Sequence, residues 1–215
     1  MPVKLYSYWR SSCSWRVRIA LALKEVNYEY SPVHLVTNGG EQRTDEYRSL
    51  NPMKQVPSLI LEGKTVTQSM AIVEFLDEKF PKQGVRLFPE DLTTKTKVRE
   101  VCEIINSGIQ PIQNLSVLQQ FDDQEKRMEW GHLFIDRGFV ALEAFLKTTA
   151  GKYCVGDVLT AADAFLVPQV GNALRFKVDM SKFPIIAKID EELKTHKAFI
   201  AAHPTKQPDC PENSG

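Results

Sequence analysis

From residue 3 to residue 9 the chain is β-branched or aromatic with few interruptions, and Arg10-Ser11-Ser12 break that pattern before a helical period sets in. This predicts strand, loop and helix. In the helix Trp15, Ile19, Ala22 and Leu23 share one face, while Arg16, Arg18, Lys24 and Glu25 supply the charge. Residues 28–35 read as a second strand, followed by a turn at Asn38-Gly39-Gly40. The alternation predicts a βαβ unit with parallel strands and a right-handed crossover. A short polar helical stretch near 41–50 precedes a loop, Asn51-Pro52-Met53-Lys54-Gln55-Val56-Pro57, that feeds a hairpin turned at Gly63-Lys64. Ser69 then precedes Met70, Ile72, Val73, Phe75 and Leu76 at helical spacing, which makes it an N-cap candidate. The order over the first ~80 residues is therefore β-α-β-α-β-β-α.

Pro81, Gly84 and Pro89 mark a linker, so the expected division is a first domain over 1–83, a linker over 84–91 and a second domain over 92–215. The second domain reads as all-helical. Val98, Val101, Cys102, Ile105, Ile109 and Ile112 form one long apolar stripe, expected to bend at Pro111, and Trp130, Phe134, Ala141 and Phe145 form another. Residues 161–174 are apolar on nearly every side, which predicts a buried central helix. Thr160-Ala161-Ala162-Asp163 opens it as a capping-box variant, so Asp163 is assigned to folding. Residues 205–215 read as a loosely held tail.

Composition narrows the class without naming a function. The chain has 215 residues, 43% hydrophobic and 25% charged, as expected of an ordinary folded globular protein. Lys plus Arg and Asp plus Glu each total 27, so the net charge is zero and no global field favours nucleic acid or an anionic membrane. Any anion must be held by a local site. The first ten residues carry no apolar signal region and no stretch reaches ~20 apolar residues, so a cytoplasmic location is expected. Cys13, Cys102, Cys154 and Cys210 form no C-x-x-C pair and no metal-ligand spacing with the four histidines, so no metal is expected. Cys102 and Cys154 read as small buried hydrophobes.

Two places combine a helix start with hydroxyls: Ser11-Ser12-Cys13-Ser14 and Gln68-Ser69. Helix N-termini offer free N–H groups and partial positive charge, which suit carboxylates and thiolates, although capping alone would account for either place. Between them Val56-Pro57-Ser58 invites a cis bond that leaves the Val56 backbone free to pair with an extended peptide.

On these strings the chain resembles the cytosolic glutathione transferases, specifically the zeta class, the class of the maleylacetoacetate isomerases. The key string is Ser11-Ser12-Cys13-Ser14-Trp15-Arg16-Val17-Arg18, and the resemblance extends through residues 51–57, Gln110-Pro111-Ile112-Gln113-Asn114-Leu115-Ser116 and Tyr153-Cys154-Val155-Gly156-Asp157. It covers about 4–211. It implies a thioredoxin-like α/β N-terminal domain, an all-α C-terminal domain, glutathione as cofactor, a substrate site between the domains, and a homodimer. It also implies that Ser11, Ser12 and Cys13 surround the glutathione sulfur, that Gln42, Val56, Gln68, Ser69, Gln110, Asn114, Leu115 and Ser116 contact glutathione, and that Arg175 holds a carboxylate of an unsaturated diketo acid. The implied reaction is cis-trans isomerisation of maleylacetoacetate in phenylalanine and tyrosine catabolism, with transferase activity toward small electrophiles such as α-halo acids.

The residues leave two other readings open. Cys13 could itself be the nucleophile of a thiol-disulfide oxidoreductase or dehydroascorbate reductase, since a loop-to-helix position suits a low-pKa thiol, but no resolving cysteine lies nearby in sequence. Alternatively the fold could serve as a non-enzymatic interaction module. Arg175 could be a solvated arginine offsetting a helix dipole, and Trp9, Trp15 and Trp130 read as core or interface.

Overall fold

Val3, Leu5 and Ser7 are buried while Lys4 and Tyr6 are half-buried, the period-two pattern of a strand covered more closely on one face. In the computed structural model, which describes residues 3–212, this strand is β1 (Val3–Ser7). Helix α1 (Ser12–Leu23) connects it to β2 (Tyr28–Pro32), which lies parallel to it with Leu5 opposite Tyr30. After two 3₁₀ turns and α2 (Asp45–Leu50), β3 (Ser58–Leu61) pairs antiparallel with β1, Leu5 facing Leu59, and β4 (Lys64–Thr67) pairs antiparallel with β3. The sheet order is β2-β1-β3-β4, and α3 (Ser69–Lys79) follows. The hairpin turns one residue earlier than expected, at Glu62-Gly63. Both residues have positive φ, 53° and 76°, as a two-residue turn matched to strand twist requires, and Lys64 is already in β4.

The charged residues of α1 are not a solvated face. Arg16, Arg18 and Lys24 are 0%, 1% and 0% exposed. Helix α1 packs against α3 and also against α9 (Lys197–Ala202), so its polar positions must be satisfied inside the protein. Lys24 donates to Asp77 Oδ1 at 3.1 Å and to the Val85 carbonyl at 3.0 Å. Gly84, at φ 58°, permits this approach, because a Cβ there would lie 2.1 Å from the Leu23 carbonyl oxygen. Residues 84–91 are accordingly no loose linker. Leu87 and Phe88 are buried.

The chain divides into two units, Met1–Arg86 with His196–Gly215, and Leu87–Thr195. The second contains α4 (Leu92–Asn106), α5 (Leu115–Leu118), α6 (Gln124–Thr149), α7 (Ala161–Arg175) and α8 (Pro184–Lys194). The division departs from the sequence reading at the C-terminus, where 196–212 return to the first unit instead of ending the helical domain. Nor are they a loose tail: Asp209 accepts from Trp9 N–H and Tyr30 O–H, and Gln207 is buried. Residues 213–215 of the expected tail lie outside the described residues.

The apolar stripe from Val98 to Ile112 is not one bent helix. Helix α4 stops at Asn106, and Pro111 lies in the first turn of a separate 3₁₀ segment, Gln110–Gln113, where its missing N–H removes no ladder bond. In α6 the buried face is Gly131, Ile135, Phe139, Leu142 and Leu146. Trp130 and Phe134 flank it half-buried, 4.5 Å apart at the ring centroids, and Ala141 is exposed. Helix α7 is buried through Val170 and carries the Thr160–Asp163 capping box, with Asp163 also accepting from Cys154 N–H at 2.9 Å. Cys102 and Cys154 are fully buried.

Candidate active site

Ser11 is the N-cap of α1. Its backbone is extended, φ −70° and ψ 117°, and its Oγ accepts from Ser14 N–H at 3.2 Å. A hydroxyl that accepts from its own helix retains its proton to donate outward. Ser11 N–H is taken by the Tyr8 carbonyl at 3.0 Å, and Trp15 N–H closes the first helical turn on the Ser11 carbonyl. The amides of Ser12 and Cys13 remain outside the helix ladder, as the first turn of any helix requires. With no acidic residue in that turn, the end of the helix keeps its partial positive charge. Ser12 is buried, and the Cys13 thiol is half-buried and free.

The start of α3 differs from expectation. Gln68, not Ser69, is the N-cap, and it makes no side-chain capping bond; Ser69 is the first helical residue. Gln68 has φ 71° and ψ 120°, a strained backbone for a residue with a Cβ, and its side chain is exposed. The Ser69 hydroxyl is buried and accepts from Arg16 Nη1 at 3.1 Å. Arg16 thus reaches from α1 to the first residue of α3, placing a buried cation behind a second helix N-terminus that has no acid in its first turn. The same logic applies here: by accepting from the guanidinium, Ser69 keeps its proton for an anion.

The loop before β3 is assembled by side chains the sequence reading passed over. Tyr47 O–H donates to the Gln55 carbonyl at 2.7 Å, Asn51 Nδ2 donates to the same oxygen at 2.8 Å, and Met53 N–H returns to Asn51 Oδ1 at 3.0 Å. Asn51-Pro52, a turn-forming pair, was the available signal. Burial pushes the Tyr47 phenol up to about 12, so it stays a donor. The Val56–Pro57 bond is cis, Val56 is buried, and its backbone pairs with none of the described backbone groups. Tyr8, Val33, Tyr47 and Val56 form the small core below, joined by Trp9 and Leu35. Gln42 is buried beside it, with Nε2 donating to the Leu35 carbonyl at 3.2 Å and Oε1 buried without a partner. Gly40, at φ 94°, leaves the space that this side chain fills.

In the second unit Gln110 is buried at the start of its 3₁₀ segment, Asn114 is the N-cap of α5, and Leu115 and Ser116 follow within it. The Ile112 carbonyl accepts from Trp130 Nε1 at 2.9 Å, which fastens that segment to α6. Arg175 ends α7, exposed, with its guanidinium 5.4 Å from the Phe176 ring centroid. Lys177, at φ 56°, closes the helix, and Val178 N–H bonds back to the Ala173 carbonyl.

Ser11, Ser12, Cys13, Gln42, Val56, Gln68 and Ser69 all lie in the first unit, on separated stretches of chain, with Arg16 linking α1 to Ser69 and the small core under Tyr8 linking Val56 to the start of α1. The chemistry of this set fits glutathione. A thiolate and a carboxylate each suit a helix N-terminus, an extended peptide suits an unpaired strand-like backbone at Val56, and the unpartnered Gln42 oxygen suits an N–H donor.

Comparison with known proteins agrees with this fit. Residues 1–78 match the family model of the glutathione S-transferase N-terminal domain. The chain is 55% identical over 207 residues to the maleylacetoacetate isomerase of Mus musculus, covering 96% of this chain and 94% of the mouse protein. It is similar to the structure of maleylacetoacetate isomerase from Anaeromyxobacter dehalogenans with glutathione bound in the active site. The TM-score is 0.86 at 44% identity, over 98% of each chain. It is likewise similar to the holo structure of maleylpyruvate isomerase, a bacterial zeta-class glutathione transferase. There the TM-score is 0.91 at 39% identity, over 97% of this chain and 100% of the other. A thioredoxin-like unit with paired helix N-termini, an all-helical second unit and sequence identity sustained across nearly the whole length place this chain in the maleylacetoacetate isomerase family, the zeta class of the glutathione transferases.

Proposed function

We propose that the protein catalyses glutathione-dependent cis-trans isomerisation of maleylacetoacetate to fumarylacetoacetate in phenylalanine and tyrosine catabolism, and transfers glutathione to small electrophiles such as α-halo acids. The observation that carries this reading is Ser11, a helix N-cap whose hydroxyl accepts from Ser14 and keeps a proton to give. Glutathione, when bound, supplies a thiol whose anion adds reversibly to the cis double bond, so that the bond can rotate before elimination restores the cofactor.

The chain's part is to hold charge and position. Ser11 donates to the sulfur, and the Ser12 and Cys13 amides face the same end of α1. A thiol with a pKa of about 8.5 is only ~3% ionised at pH 7. One charge-assisted hydrogen bond of ~1.5–3 kcal/mol together with a dipole contribution of ~0.3–1 kcal/mol spans the ~2 kcal/mol that ionises half of it at pH 7. Val56 pairs with the peptide backbone, Gln42 accepts from it, and Gln68 with Ser69 receives a carboxylate at the start of α3. Gln110, Asn114, Leu115 and Ser116 contribute further glutathione contacts by their match to the family strings. Arg175 holds a substrate carboxylate through the bidentate geometry that a guanidinium provides.

The same reading makes the protein a cytoplasmic homodimer. This rests on the resemblance to the zeta class; among the described residues no helix is long and apolar enough to cross a membrane. Light scattering would report the dimer mass. The decisive test of function is turnover of maleylacetoacetate with and without glutathione: the expected result is isomerisation only in its presence, with no net thiol consumed. Glutathione-independent turnover would sink the proposal.

A further inference from the structure

The turn that delivers Ser11 to its helix is Tyr8-Trp9-Arg10-Ser11, closed by its own Ser11 N–H to Tyr8 carbonyl bond at 3.0 Å. The Tyr8 and Trp9 carbonyls and the Trp9 N–H also bond to side chains from outside the turn. Arg18, buried in α1, donates to the Tyr8 carbonyl at 3.3 Å, the Trp9 carbonyl at 3.0 Å and Ser7 Oγ at 3.2 Å, and its Nε donates to the Ala202 carbonyl of α9 at 3.1 Å. From the other side Asp209 takes Trp9 N–H on Oδ2 at 2.9 Å and Tyr30 O–H on Oδ1 at 2.6 Å. A residue 198 positions after Ser11 thus holds the middle of the turn, and both of its oxygens are engaged within one unit of the fold.

We propose that Asp209 is a positioning residue for the thiolate site, acting through the Trp9 amide on the place and orientation of the Ser11 hydroxyl. The C-terminal segment is on this account part of the glutathione site. The inference rests on the role given to Ser11 above. A carboxylate suits the task because each oxygen accepts a separate donor, one from the turn and one from β2, so the turn is referenced to the sheet. Arg18 supplies the opposing charge and remains protonated, although burial pulls it down to about 10. A hydrogen bond to an ionised partner depends steeply on its geometry, and misplacing a reacting group by about 1 Å can cost on the order of a hundredfold in rate.

The test compares the full-length enzyme with Asp209→Ala, Asp209→Asn and Tyr30→Phe, reading the pH titration of bound glutathione by thiolate absorbance, kcat and KM separately, and thermal stability. Asp209→Ala is expected to raise the bound thiol pKa by about half to one unit and lower kcat about fivefold, with KM for glutathione changed less than about threefold. Asp209→Asn, which keeps one acceptor, should recover part of that loss. In a Ser11→Ala background Asp209→Ala should shift the thiol pKa no further, because the two act through one hydrogen bond. Should the alanine variant not fold, Tyr30→Phe, which frees one carboxylate oxygen, should give a smaller shift in the same direction. A folded Asp209 variant, or Tyr30→Phe in its place, with a lowered melting temperature but unchanged thiol titration would overturn the proposal and leave Asp209 a structural tie. Failure of Ser11→Ala itself to move the titration would instead overturn the role of Ser11.

Discussion

The division of labour at the site turns on which sulfur attacks and which hydroxyl steadies it. Among the described residues Ser11 is the hydroxyl that caps α1, and it does so as an acceptor. Ser11→Ala should therefore leave the fold intact and raise the pKa of bound glutathione by about one to two units, through loss of ~1.5–3 kcal/mol of charge-assisted bonding. Thiolate absorbance against pH measures this, and an unchanged titration would pass the role to Ser12. Cys13 offers a thiol one residue beyond Ser12, but none of the four cysteines forms a disulfide. Cys13→Ala should keep turnover within about tenfold, because the attacking sulfur belongs to the cofactor. Abolished isomerisation in that folded variant would restore the oxidoreductase reading. Arg175→Ala should lower kcat/KM for the diketo acid roughly thirtyfold, about 2 kcal/mol, while sparing a neutral electrophile. Equal losses on both substrates would assign Arg175 to the fold or to the glutathione site.

Elements are held in place by charge in unusual positions. The Lys24–Asp77 pair joins α1 to α3, its two side chains 0% and 1% exposed, and Lys24 also holds the Val85 carbonyl. Removing Asp77 takes the carboxylate from the buried Lys24 ammonium, which keeps the Val85 carbonyl, and also from Arg86, whose Nε lies 3.4 Å from Asp77 Oδ2. Asp77→Ala should cost about 3–5 kcal/mol of unfolding free energy in urea titration, whereas replacing both residues with apolar side chains should recover much of it. A loss below about 1 kcal/mol for the single variant would show that the Val85 carbonyl and solvent suffice for Lys24. The surface pair Lys79–Glu62 has the same chemistry, but solvent screens it, so it should contribute little.

At the scale of the molecule, the C-terminal segment makes the stability of the first unit depend on pH. His203 stands edge-on to Trp15 at 5.2 Å, and burial, helped by the Arg18 and Lys206 charges, lowers its pKa below 6.5. A lowered folded value means that the unfolded chain binds the proton first. The stability contribution is thus fully present above 6.5 and is lost as pH falls through the folded value. Melting temperature should decline as pH falls below about 6.5, and His203→Asn should flatten that slope. An identical slope in the variant would place its origin in other groups.

Period and punctuation were enough to read the order β-α-β-α-β-β-α, the helix start at Ala161, and a serine-rich string at the entry to α1, because these depend on neighbours within a few residues. Local pattern failed where a second element decided burial. Arg16, Arg18 and Lys24 look like a charged face until α3 and α9 cover α1, and Trp130 and Phe134 look like core until α6 turns Gly131 and Ile135 inward. The Val98 to Ile112 stripe looked continuous because periodicity persists across the Ser107-Gly108 break. Asp209 carries no sequence signal and Arg16 only its place in the key string, since what gives each a role is a partner far away in the chain, at Trp9 and at Ser69. The sequence by itself determined the order of elements in the first unit and, through its separated strings, the family to which the chain belongs. Tertiary structure alone decided which buried charges hold those residues in place, because the energy of a buried charge is set by partners that only the folded chain brings within hydrogen-bonding distance.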